Sequence, residues 1–256
     1  NVAIAMSTMP QVSIQPALEA MLEHANPGVR MYGWTGYLRI RRRVMAQGPD
    51  FARTMFESMS AAAANETAAP VLAELFRLLR TGTERPTAIA AAIWDQWLTL
   101  VWTIQRDNWQ RWAENIGAGS TELAMAAPLL LDGMLNRVPF FTADKKRRKQ
   151  AVAMAYTMAW YSSYAYQQAG HDSFVANANG RLLRTSETLL NALTGLDRQF
   201  LRTALLRAEY GGERMETSSP YADALRLAVT AGWTGALNEY DIPQPKPPAT
   251  QPADSD

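Results

Sequence analysis

Proline and glycine residues divide this sequence into segments whose apolar residues recur at the spacing of an α-helix. Pro49 opens one such segment, and its periodic apolar residues are Phe51, Met55, Phe56, Met59 and Ala63. Proline is favoured in the first turn of a helix and glycine just after its end, so these breakers indicate where helices begin and stop. The alternation of apolar and polar residues that is typical of strands is missing from the middle of the chain. We therefore predict an all-α fold, a bundle of about eight to ten helices.

The two ends of the sequence differ from this helical middle. Residues 1–15 include a proline and short alternating apolar pieces, which predict an extended N-terminal arm. Five of the 14 prolines fall within the last 14 residues, so we expect a solvated Pro-rich C-terminal tail over residues 241–256. Between these ends we predict a single helical domain, residues 16–240. No signal peptide or membrane-spanning segment is evident, and a cytoplasmic or virion location is the expectation.

Net charge and cysteine content narrow the possible functions. With 25 basic and 24 acidic residues the formal net charge is +1, so any attraction to nucleic acid or to an anionic membrane must be local. The absence of cysteine excludes disulfides, a thiolate nucleophile and cysteine zinc sites. The only histidines are His24 and His171, and the motifs of phosphate loops, nucleophile elbows and di-iron helix pairs are absent. We therefore predict no catalytic residue, no metal and no cofactor.

Two basic runs are the strongest functional signal in the sequence. Their members are Arg39, Arg41, Arg42 and Arg43 in the first run, and Lys145, Lys146, Arg147, Arg148 and Lys149 in the second. The second run fills the first two turns of a predicted helix that Thr142 would cap. Cations are disfavoured at this positive end of a helix by roughly 0.3–1 kcal/mol each, whereas an anion is favoured there. We predict that both runs bind a nucleic acid or another anion, and a solvated charged face is the alternative.

Tryptophan is concentrated on one predicted helix, over residues 86–115. The five tryptophans of this segment are Trp94, Trp97, Trp102, Trp109 and Trp112. They are spread around the helix more widely than a single core stripe requires. Core packing explains most of them, and an interface with another copy of the chain is the second interpretation, since tryptophan is favoured at interfaces. We predict that these residues contribute to an oligomer interface.

The tetrapeptide Gly-Trp-Thr-Gly occurs twice, at residues 33–36 and 232–235. A true internal repeat would extend into the flanking residues, and these flanks do not align. We interpret the match as coincidence or as two similar turns that join helices.

Three hypotheses for the function follow from these patterns. The first is a non-catalytic, self-assembling structural protein that binds itself and nucleic acid, such as a coat protein, a nucleoprotein or a packaging factor. Its nucleic acid would be single-stranded and bound without sequence specificity. The second is a scaffold or surface-coating protein that binds no nucleic acid and does not depend on the basic runs. The third is an all-α enzyme whose site forms only in three dimensions, for which carboxylates and His171 around a deep pocket would be the sign.

Overall fold

The computed structural model describes residues 2–9, 11–80, 91–168, 173–210 and 228–247, and it contains no strand within these ranges. The predicted all-α fold is confirmed. The α-helices are α1 Val2–Thr8, α2 Gln15–Leu22, α3 Pro27–Gln47, α4 Pro49–Asn65, α5 Ala69–Leu79, α6 Ala91–Gly117, α7 Thr121–Leu135, α8 Val138–Thr142, α9 Lys145–Gln168, α10 Ser173–Thr194, α11 Phe200–Tyr210 and α12 Thr234–Glu239. None of the helices in the described part is both long and apolar enough to cross a membrane.

Contacts within the chain group its residues into two compact units. The first unit consists of residues 1–109 and 132–136, and the second consists of residues 110–131 and 137–256. The single helical domain predicted for residues 16–240 stays a prediction, because compact units of one chain need not be separately folding domains.

Helix α3 organises the first unit, where it packs against α1, α2, α4 and α5. It begins where the sequence places a cap: the Asn26 side chain accepts a hydrogen bond from the Gly28 N–H at 2.8 Å, and Pro27 follows the cap directly. It ends before Gly48, whose φ of 131° favours glycine. Its buried residues include Trp34, Tyr37, Ile40, Val44 and Met45.

The first Gly-Trp-Thr-Gly segment is not a turn, which was one of our two interpretations, because residues 33–36 lie inside α3. A Cβ on Gly36 would lie 2.5 Å from the Leu18 Cδ2 atom, and one on Gly33 would lie 3.0 Å from the Leu22 Cδ2 atom. The two glycines therefore allow α2 to approach α3 closely, which local sequence rules read as a break. The second segment does join helices, since Gly232 and Trp233 form a turn before α12.

The extended N-terminal arm predicted for residues 1–15 is also wrong in its conformation. Val2–Thr8 forms α1, which packs against α3, and Val12–Ile14 forms a short 3₁₀ turn. A helix this short gains most of its stability from tertiary packing, so its sequence carries little signal of its own. Residues 243–247 have no regular secondary structure, and the remainder of the predicted Pro-rich tail lies outside the described residues.

The second unit contains the closely packed pair α9 and α10. Small buried side chains, Ala151, Ala155 and Ala159, line α9, and α10 buries a row of leucines that includes Leu182 and Leu189. Contrary to our prediction, Thr142 does not cap α9, because it is the last residue of α8. Asp144 caps α9 instead, its Oδ1 atom accepting the Arg147 N–H at 2.6 Å.

Candidate functional site

The second basic run surrounds the N-terminus of α9 and divides into exposed and engaged side chains. Lys145 and Lys146 are exposed on the first turn of the helix. Neither of them forms an ion pair with a carboxylate in the described part of the chain. This end of α9 is also the positive end of its dipole, and the Asp144 carboxylate that caps the helix offsets part of the positive charge of the two ammonium groups.

The next three cations of the run contact groups of the same unit. The Arg147 Nη1 atom donates to the Phe140 carbonyl at 2.8 Å, and its guanidinium lies 3.9 Å from the centroid of the Phe140 ring. The Arg148 Nε atom donates to the Leu193 carbonyl at 2.6 Å, in the last turn of α10. A cation is favoured there by the negative end of the α10 dipole. Arg147 and Arg148 therefore hold helices together, and an anion would have to compete with these contacts.

The side chain of Lys149 lies near a carboxylate from another part of the second unit. Its Nζ atom is 4.0 Å from the Asp241 Oδ2 atom, and both side chains are largely exposed. Exposed ion pairs of this kind contribute only about 0–1 kcal/mol. Most of the positive charge of the run is therefore not neutralised by acidic residues of the described chain.

The first basic run, on α3, also splits into two kinds of residue. Arg41 is half-buried and its Nη1 atom donates to the carbonyls of Leu78 and Arg80, at 2.7 and 3.4 Å, where α5 ends. Burial, followed by the charge of Arg42, lowers the pKa of Arg41 to about 10. Arg39, Arg42 and Arg43 are exposed. Arg41 therefore stabilises the end of α5, and Arg39 and Arg42 present the charge of this run to solvent.

Four of the five tryptophans predicted at an oligomer interface are core residues of the chain itself. Trp94, Trp97, Trp102 and Trp112 are buried, and the Trp97 ring packs edge to face on Phe56 at a centroid distance of 5.0 Å. These four are therefore not available to another copy. The fifth, Trp109, is half-buried and keeps some exposed surface. The wide spread of tryptophans around α6 thus reflects a helix buried on several sides.

A cleft of about 510 Å³ lies in the first unit, beside Arg30 and Glu66. The Arg30 Nη1 atom donates to the carbonyls of His24 and Ala25, both at 2.9 Å. The Asn26 N–H donates to the Nδ1 atom of His24 at 3.0 Å, so this histidine takes part in the local turn. Arg30 and His24 therefore take part in the connection between α2 and α3.

A second cleft, of about 610 Å³, lies between α10 and α11 in the second unit. Arg184, Arg198 and Arg202 line it together with Glu187 and Asp197. Sequence analysis missed these arginines, because they are spread over two helices and a connection and form no run. Only the packing of α11 against α10 brings them together.

The Glu187 carboxylate caps α11 from the neighbouring helix. It accepts the Leu201 N–H at 2.8 Å and the Arg202 N–H at 3.1 Å. Burial raises the pKa of Glu187, and these backbone hydrogen bonds and the charge of Arg202 only partly oppose the effect of burial. Both carboxylate oxygens thus have a structural role at the start of α11.

Chemistry of a metal enzyme finds no support in these clefts. Within the described ranges no group of three or more histidine, cysteine, aspartate or glutamate residues is placed to hold a metal ion. His171, which would mark the enzyme hypothesis, lies outside the described residues.

No protein family model, no curated protein and no solved structure matches this chain.

Proposed function

We propose that this chain is a non-catalytic, self-assembling helical protein that binds a phosphate-bearing polymer, single-stranded nucleic acid being the expected form. The observation that carries the proposal is the exposure of Lys145 and Lys146 at the N-terminus of the 24-residue helix α9. The side-chain charges of the two lysines and the helix dipole favour an anion near that position, beside the Asp144 carboxylate that already accepts the Arg147 N–H.

The exposed members of the first run provide a second contact of the same chemistry. Arg39 and Arg42 project into solvent from α3, and a guanidinium can donate two parallel hydrogen bonds to one phosphate. Contacts to phosphate carry no base information, so we expect binding without sequence specificity. The engaged residues Arg41, Arg147 and Arg148 are left out of the binding surface that we now propose.

We still propose that several copies of the chain assemble, but fewer of the predicted interface residues are exposed than the sequence indicated. Trp109 is the one tryptophan of α6 among the five that is not buried. Large apolar side chains elsewhere are also exposed, among them Val2 at 73% and Phe174 at 58%. Sedimentation over a range of protein concentrations tests this part, and a monomer at every concentration would contradict it.

Binding is tested by fluorescence anisotropy of a labelled single-stranded oligonucleotide at several salt concentrations. The variant Lys145→Glu/Lys146→Glu should bind more weakly, and the slope of log affinity against log salt should become shallower by about 0.7 for each phosphate that the variant no longer neutralises. Arg53→Glu/Arg181→Glu is the matched control, because it reverses the same number of charges at exposed arginines that belong to neither run. A wild-type protein that does not bind, or a double variant with unchanged affinity and slope, would refute the proposal.

A further inference from the structure

We propose that the cleft between α10 and α11 is a second binding site, which takes a phosphoryl group on the guanidinium groups of Arg198 and Arg202, with Arg184 also lining the cleft. The site does not include any residue of the two basic runs. The proposed site can therefore be tested independently of the polymer-binding surface at α3 and α9.

The arginines of the cleft come from three consecutive parts of the fold. Arg184 lies on α10, Arg198 lies in the connection, and Arg202 lies on the first turn of α11. The cleft of about 610 Å³ is large enough for a phosphorylated small molecule, since ligand sites commonly span about 300–1,000 Å³. Several guanidinium groups around one space suit the tetrahedral oxygens of a phosphoryl group, because each arginine donates in a planar fork.

The connection that carries Arg198 is fixed by Asn191 on α10. The Asn191 Nδ2 atom donates to the Arg198 carbonyl at 2.7 Å, and its Oδ1 atom accepts the Arg198 N–H at 3.3 Å. Both the N–H and the carbonyl group of Arg198 are thus held by the Asn191 side chain. A site held in this way loses less conformational entropy when a ligand binds.

The two acidic residues of the cleft differ in how strongly they could repel a bound anion. Both oxygens of Glu187 accept backbone N–H groups of α11, so this buried carboxylate serves the helix terminus. Asp197 is exposed at the rim. The lining holds three arginines and two carboxylates, and the charge of Arg202 also acts on the Glu187 carboxylate. The guanidinium groups of Arg198 and Arg202 are exposed donors of the cleft.

Titration calorimetry of the full chain with inorganic diphosphate at low ionic strength tests the site. We expect Arg198→Gln/Arg202→Gln to weaken diphosphate binding by roughly tenfold or more, as the loss of charge-assisted hydrogen bonds implies. Arg181→Gln is the control, because Arg181 is an exposed arginine of α10 that does not line the cleft. The affinity of this variant for diphosphate should stay within about twofold of wild type. If the double variant fails to fold, the single variant Arg198→Glu is measured instead. Arg198 is exposed, and reversing its charge should weaken diphosphate binding relative to wild type.

A wild-type protein that does not bind diphosphate would overturn the site, as would equal binding by the double variant or equal weakening by Arg181→Gln. The variant Lys145→Glu/Lys146→Glu separates the two proposals, because it should weaken oligonucleotide binding and leave diphosphate binding unchanged. Competition identifies the source of the phosphoryl group. Displacement of diphosphate by the oligonucleotide would assign the cleft to polymer phosphate, and independent binding of the two would assign it to a small phosphorylated molecule.

Discussion

The Arg30 guanidinium and the Glu66 carboxylate form a bidentate ion pair, with Nε to Oε2 at 2.7 Å and Nη2 to Oε1 at 3.0 Å. The Glu66 side chain is 2% exposed and that of Arg30 is 20% exposed. Glu66 also accepts the N–H groups of Thr67 and Ala68, at 3.0 and 2.8 Å, where α5 begins. This one carboxylate therefore joins the start of α3 to the start of α5.

Replacing Arg30 should destabilise the protein, because it leaves the buried Glu66 carboxylate without its charged partner. We expect Arg30→Met to lower the free energy of unfolding by about 2–3 kcal/mol, measured by urea denaturation. Arg53→Met is the matched control, since Arg53 lies 3.8 Å from Asp50 in an exposed pair. That change should cost less than about 0.5 kcal/mol. Similar destabilisation in the two variants would contradict a special role of the Arg30–Glu66 pair.

The same pair should make stability depend on pH. Burial alone raises the pKa of Glu66, but the hydrogen bonds from Arg30, Ala68 and Thr67 and the charge of Arg30 outweigh it, so the pKa lies below its ordinary value of 4.5. The unfolded chain then binds the proton more readily, and this contribution to stability is present above pH 4.5 and lost as the pH falls through the folded-state pKa. Urea denaturation at a series of acidic pH values should show a shallower decline for Glu66→Gln than for wild type. An equal decline would argue against a lowered pKa.

Glu187 should give a pH dependence of the opposite sign. Because burial raises the pKa of Glu187 above its ordinary value of 4.5, the folded chain binds the proton more readily than the unfolded chain. Its contribution to stability is therefore full below pH 4.5 and declines as the pH rises through the folded-state pKa. We expect the stability of Glu187→Gln, relative to wild type, to increase with pH over that window. A relative stability that decreases there would contradict the assignment.

The two Gly-Trp-Thr-Gly segments should respond differently to the same substitution. Gly36→Ala places a methyl group 2.5 Å from the Leu18 Cδ2 atom, and Leu18 is fully buried, so we expect a destabilisation of roughly 1–3 kcal/mol. Gly235→Ala meets nothing within 4 Å and lies in α12, so it should be neutral or stabilising by less than about 1 kcal/mol. Chemical denaturation measures both. Tolerance of alanine at residue 36 would mean that α2 does not approach α3 as closely as described.

Substitutions at two members of the second basic run should have different effects, one on stability and the other on binding. Arg148→Gln removes the donor to the buried Leu193 carbonyl and should lower the free energy of unfolding by about 1–3 kcal/mol. Lys146→Gln should leave stability within about 0.5 kcal/mol of wild type and weaken oligonucleotide binding. Denaturation and anisotropy on the same samples distinguish the two roles. Weaker binding with unchanged stability in Arg148→Gln would show that Arg148 belongs to the binding surface.

The fold class and many helix boundaries could be predicted from the sequence, since these depend on neighbours along the chain. Pro49 and Pro70 lie at the starts of α4 and α5, and Gly195 follows the last residue of α10. Such signals are local, because helix termini are set by the backbone conformation and the caps of a few adjacent residues.

The contacts of each side chain depend on how distant segments pack. Lys146 and Arg148 are two positions apart in one basic run, yet Lys146 is exposed and Arg148 contacts the end of α10, because they point to different sides of the helix. Arg184 and Arg202 line one cleft although no spacing rule relates them, because α11 packs against α10. Helical periodicity fixes which residues share a face, and the contacts of distant segments fix whether that face is covered by the chain or left to a ligand.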